Sequence, residues 1–156
     1  MRWLRKKVSP RAASALLLLL SVSAVSGCTS RSGQQSLRKP VDAIETGRII
    51  RLTDRMFEAG GSDTVRFGHL HTGEIAVMQL WLANQTEHPI LLSDYRSSCG
   101  CTTLEFDNQP IRAGEAQRVS LTFDSRGEWG WQLKTVELFV SGANRPFRLF
   151  VEADIE

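Results

Sequence analysis

The sequence is poor in the side chains that do chemistry. Three histidines, one tyrosine and three cysteines in 156 residues leave few groups for proton transfer or metal binding. There is no GxSxG elbow, no glycine-rich phosphate loop and no HExxH pair, which excludes the familiar hydrolase, nucleotide-binding and zinc-protease arrangements. Asp124 and Glu128 are close in sequence, but their loop has mixed charge and reads as solvated. No constellation for hydrolysis or group transfer emerges, and a protein that is not an enzyme is expected. No apolar run reaches the roughly 20 residues of a membrane-spanning helix. Nor does any segment keep a helical period.

What is present begins with charge. Arg2, Arg5, Lys6, Lys7 and Arg11 precede a 14-residue apolar stretch, residues 12–25, that ends in small residues. This is the order of an export signal: basic region, apolar region, cleavage site. Val25-Ser26-Gly27-Cys28 resembles the lipobox of bacterial lipoproteins, which implies a covalent diacylglycerol on Cys28. Thr29, in place of an aspartate, resembles the pattern that Gram-negative cells sort to the outer membrane. The expected organisation is therefore a signal peptide over 1–27, a polar lipidated tether over 28–47, and one domain over 48–156 facing the periplasm. Removing residues 1–27 takes away five cations and no anion, leaving 14 cations against 17 anions, a net charge of −3. Nothing then argues for nucleic acid; the membrane would be held through the lipid.

The domain alternates with a period of two. Ala76, Met78, Leu80 and Leu82 share one face, as do Val119, Leu121 and Phe123, then Val136, Leu138 and Val140, then Phe147, Leu149, Val151 and Ala153. Polar residues fall mostly between them, the pattern of half-buried antiparallel strands. Turn-forming stretches at 71–74, 84–89, 107–115, 124–130 and 141–146 separate seven or eight such runs. The expected fold is all-β, an immunoglobulin-like β-sandwich held by packing alone, because the inter-sheet cysteine pair of antibody domains is missing.

Phe67-Gly68, Asn84, Pro89-Ile90, Cys99-Gly100-Cys101-Thr102, Ala113-Gly114 and Thr122-Phe123 stand in an order that resembles the bacterial lipoprotein family called domain of unknown function 1573. The CGCT signature is the specific part. Arg66, where the family often has an acid, and Ala113, where proline is usual, depart from it. The resemblance implies an exported immunoglobulin-like domain, similar to Hydin-type and chaperone-type sandwiches, without an established activity.

The Cys99-Gly100-Cys101 motif allows three readings. In an oxidising compartment the two thiols have only each other, once Cys28 is lipidated. Two extended residues span about 6.6–7.2 Å, at the limit of disulfide geometry, so a bridge needs a bend that Gly100 would permit. Such a bridge would close almost no loop and stabilise little, and it could be redox-labile. Alternatively both thiolates face one soft ion. If strands are neighbours in sequence order, His69 and His71 reach the same end and complete a two-thiolate, two-imidazole site for copper or zinc, whereas His88 falls at the opposite end. The third reading is a small pair that packs beneath an end loop.

Trp81 alternates out of the core face, and Trp129 and Trp131 flank Gly130 in a loop at the CGC end. Exposed indoles would hold a protein or glycan partner. The expected function is thus non-enzymatic binding or scaffolding in the cell envelope, with thiol-redox or copper/zinc handling as the alternative.

Overall fold

The computed structural model describes residues 37–156. Cys28, the signal and the first part of the expected tether lie outside the described residues. The alternation read from sequence closes two sheets face to face. One holds β1 (Arg38–Pro40), β2 (Arg48–Leu52), β4 (Ile75–Asn84), β6 (Thr102–Glu105) and β7 (Glu115–Asp124). The other holds β3 (Ser62–Leu70), β5 (Leu92–Ser97), β8 (Gly130–Val140) and β9 (Phe147–Ile155), in the order β3-β9-β8-β5. In the first sheet β1 pairs with the Glu115–Gln117 end of β7 and β6 with its Ser120–Phe123 end, so the two share one edge of that strand.

Leu80, Leu82, Leu121 and Phe123 of the first sheet meet Val136, Leu138, Leu149 and Val151 of the second, and all are fully buried. Burying one such side chain contributes about 1.5–3 kcal/mol. This layer of alternate residues holds the sandwich together.

Three features differ from expectation. The sheets are mixed: β2 runs parallel to β4, and β3 parallel to β9. β2 and β3 are joined across the two sheets through the helix α1 (Asp54–Ala59), and neither strand follows its pairing partner directly in the chain, so no hairpin forces antiparallel pairing. The helix itself was invisible to a periodicity reading because six residues are under two turns. It ends at Gly60, whose φ of +82° suits glycine and whose N–H donates to the Met56 carbonyl.

The third difference concerns the tether. From residue 38 the expected tether belongs to the domain: Arg38–Pro40 forms a ninth strand among the described residues, and Val41 and Ile44 pack on Trp81, Ala83 and Ala116. The physical reason is that the outer face of β4 and β7 carries apolar groups there, and the passing chain covers them.

Candidate functional site

Cys99 and Cys101 are joined in a disulfide, with their Cα atoms 5.2 Å apart. The corner lies where the chain leaves β5 in one sheet and enters β6 in the other. Both exits are fastened. The Ser98 N–H donates to the Thr135 carbonyl at 2.8 Å, and the Thr135 N–H donates to Ser98 Oγ at 2.9 Å. On the far side the Asp124 N–H donates to the Cys101 carbonyl at 2.8 Å. Cys101 packs against the core, and the Thr102 hydroxyl lies 3.6 Å from Cys99 Sγ and 3.8 Å from Cys101 Sγ. The bend does not use the freedom expected of Gly100, which is absent from the positive-φ glycines and has open space where a Cβ would stand.

The histidines take other partners. β3 extends through Leu70, so His69 is a strand residue, opposite Asp154 of β9, with Nδ1 3.4 Å from Asp154 Oδ2. His71 begins the following turn, with Nδ1 3.9 Å from a Glu156 carboxylate oxygen. The four-ligand set of the metal alternative is not assembled: the sulfurs are bonded to each other and the imidazoles face carboxylates, because β3 pairs with β9 and not with β4. Among the described residues no group of three or more His, Cys, Asp or Glu could hold a metal ion. The shared end, however, is as expected. The Ser125 hydroxyl donates to the His71 carbonyl at 2.7 Å, and the neighbouring Asp124 holds Cys101.

The tryptophans divide. Trp81 does point out of the core, yet it is only 8% exposed, because Val41, Ile44 and Ile49 cover it. It is not part of a free surface. Trp129 and Trp131 are 81% and 64% exposed. Trp131 stands opposite Asp154 in the β8–β9 ladder and lines a shallow depression of about 190 Å³ with Arg66, Gly68, His69, Glu152 and Asp154. Arg66 Nε lies 2.7 Å from Glu152 Oε2, directly across the β3–β9 pairing. A register shift between Arg66 and Gly68 lets the bulged chain place both Arg66 and His69 on this outer face while Phe67 turns in toward Phe123.

Sequence reasoning missed two buried polar anchors. Ser125, fully buried, donates from both N–H and hydroxyl to the Glu74 carbonyl and so ties the β7–β8 loop to the β3–β4 turn. Asn84, also fully buried, donates to the carbonyls of His88 and Ile111 and accepts from the Thr86 N–H and hydroxyl. Asn84 did stand among the positions of the family resemblance, without a structural role attached, and Ser125 carried no signal beyond a polar residue after a strand end. In the same loop Arg126 grips Asp124: hydrogen bonds from its side chain and backbone N–H hold the Asp124 carboxyl below its ordinary value of 3.8.

An all-β sandwich with a disulfide corner defines a class, and comparison defines the family. Residues 59–155 match the family described as Protein of unknown function (DUF1573), and the chain belongs to that family. β1 and β2, the strands at the outer edges of the first sheet, lie ahead of the match. No curated protein matches the chain. Among solved structures it is similar to a protein of unknown function from Porphyromonas gingivalis W83, with 18% identity and a TM-score of 0.52 over 60% of this chain and 44% of that one. It is also similar to the VesB protease of Vibrio cholerae, with 13% identity and a TM-score of 0.49 over 60% of this chain and 30% of that one. The chain spans less than half the length of either, and the first likeness bears on the fold alone.

Proposed function

We propose that this is an exported lipoprotein, anchored through diacylglycerol on Cys28 in the outer membrane, whose periplasmic sandwich is a non-enzymatic binding module. The observation that carries the binding role is the pair Trp129 and Trp131, left 81% and 64% exposed at the end of the sandwich that the disulfide corner occupies. Large indoles in water are costly unless something covers them, and tryptophan is the residue type that most often anchors an interface. The lipobox resemblance supports the anchor.

Site-specific photocrosslinking in cells tests the reading. Probes replacing Trp129 or Trp131 should capture a partner, and a probe at exposed His88, at the far end, should not. Equal capture from both ends, or none from the tryptophan end, would sink it. Cys28→Ala should release the chain from membranes.

A second reading, thiol-redox exchange at Cys99 and Cys101, is favoured by the bridge spanning a single residue. It closes too short a loop to be a useful staple. Under this reading the double serine variant loses activity in the cell; under the binding reading, partner capture is unchanged. Copper or zinc capture would need the bridge reduced first, with ligands from beyond the two histidines' present partners.

A further inference from the structure

The depression beside Trp131 has its own chemistry. Its carboxylates are not free to trap a cation, since Glu152 faces Arg66 and Asp154 faces His69. Nor is it a basic anion site, for the same reason. Yet a carboxylate has about four lone-pair positions and a guanidinium five N–H groups, so one ion pair leaves most of them unused. Arg66 is 69% and Asp154 51% exposed, so those unused groups face solvent. Beside them Trp131 supplies a flat apolar wall.

We infer that this face binds one ring of a neutral glycan. The inference rests on the binding-module reading and names its ligand. A hexopyranose has an apolar C–H face to lie against an indole and a rim of hydroxyls that both donate and accept. Matched charge with surplus donors and acceptors suits that rim. An acidic sugar would meet Glu152 and Asp154, and a lysine-rich peptide would have to displace Arg66 and His69. The depression lies on the face of the sheet, over the mutually paired β3, β9 and β8, so a peptide strand added at the outer edge of β3, the end strand of that sheet, would run beside it and not in it. The volume, about 190 Å³, is below the roughly 300–1,000 Å³ of pockets that enclose a whole small ligand. It suits a single ring of a longer chain. Gly68, with a φ of +79°, forms the bulge that lines the depression beside Arg66 and His69. The polar groups are held by the ladder before any ligand arrives, which lowers the ordering cost of binding.

The test is calorimetry and tryptophan-emission titration of the full chain in detergent with four probes: cellotetraose and chitotetraose, both neutral, tetragalacturonate and tetralysine. At least one neutral probe should bind saturably. Trp131→Ala should weaken it about tenfold or more, and Asp154→Asn or Arg66→Ala several-fold. All three side chains are at least half exposed, so folding of each variant is checked by an unchanged circular-dichroism spectrum. No saturable binding of either neutral probe up to roughly 10 mM, tighter binding of tetralysine or tetragalacturonate, or full affinity in Trp131→Ala would each overturn the inference. Photocrosslinking at Trp129 and Trp131 that still captures a partner in those cases would leave the binding-module reading standing.

Discussion

Asp124 donates its backbone N–H to the carbonyl of Cys101, at 2.8 Å, and so fastens the disulfide corner to the end of β7. The corner is therefore held by the sheets as well as by sulfur. A three-residue ring removes little chain entropy, at most about 1–2 kcal/mol. Cys99→Ser with Cys101→Ser should keep its β spectrum and lose less than about 10 °C in thermal midpoint. Loss of the folded spectrum at room temperature would make the bridge a structural staple after all.

Two glycines near these features should respond in opposite ways. Gly100 lacks a positive φ and has open space at its Cβ, so Gly100→Ala should stay within about 0.5 kcal/mol of the parent. Gly47 has a φ of +114°, and a Cβ would stand 3.2 Å from the Trp81 ring. Gly47→Ala should cost more than about 1 kcal/mol by urea unfolding. Equal costs would contradict both assignments.

The long strands β4, β7, β8 and β9 were legible because burying one sheet face imposes a period of two on residues such as Leu80 and Leu82, and turn chemistry marked off the shorter runs to give seven or eight. Arg38–Pro40 was not, because three residues carry no period and a proline in a polar context reads as linker. The apolar residues Val41 and Ile44 do suggest a segment that docks locally on the domain, but pattern cannot show that the outward-pointing Trp81 is what they cover. The place of Trp129 and Trp131 at the disulfide end was legible from the turn around Gly130, but their exposure was not, since an indole there could equally cap the end of the sandwich, and Trp131 belongs to β8 and not to the loop. The Arg66, Glu152, His69 and Asp154 cluster was not legible, since it depends on parallel pairing of β3 with β9, about eighty-five residues away.

Val41→Asp with Ile44→Asp tests that cover. Placing two carboxylates against Trp81 should destabilise the protein by about 1–3 kcal/mol. In a background with Trp129→Phe and Trp131→Phe, the emission of Trp81 should also shift to the red. An unshifted spectrum would mean that the N-terminal segment does not cover the ring in solution.

Asn84 offers a sharper substitution than truncation. Its amide nitrogen faces two carbonyls, those of His88 at 2.8 Å and Ile111 at 2.9 Å. Asn84→Asp is nearly isosteric but turns that donor into an acceptor in a buried site. The loss should be about 2–4 kcal/mol near neutral pH and smaller in acid, where the carboxyl regains a proton to donate. A change under about 0.5 kcal/mol would show that the loop from 84 to 111 does not depend on this residue.

The acid limb of stability should carry the mark of Asp124. Hydrogen bonds from the Arg126 side chain, then from its backbone N–H, hold the folded carboxyl below its ordinary value of 3.8. In the unfolded chain those bonds are gone and the group takes up its proton at a higher pH. The unfolded state therefore binds more protons between the two values, so stability rises with pH there. The contribution is complete above the unfolded value, at neutral pH, and disappears as pH falls through the depressed folded value. Asp124→Asn should be uniformly less stable from pH 6 to 9 and approach the parent toward pH 2–3, because the parent loses the interaction there and the variant has none to lose. Urea midpoints for both proteins across this range decide it: parallel curves would mean that the Asp124–Arg126 contact contributes nothing to the folded state in solution.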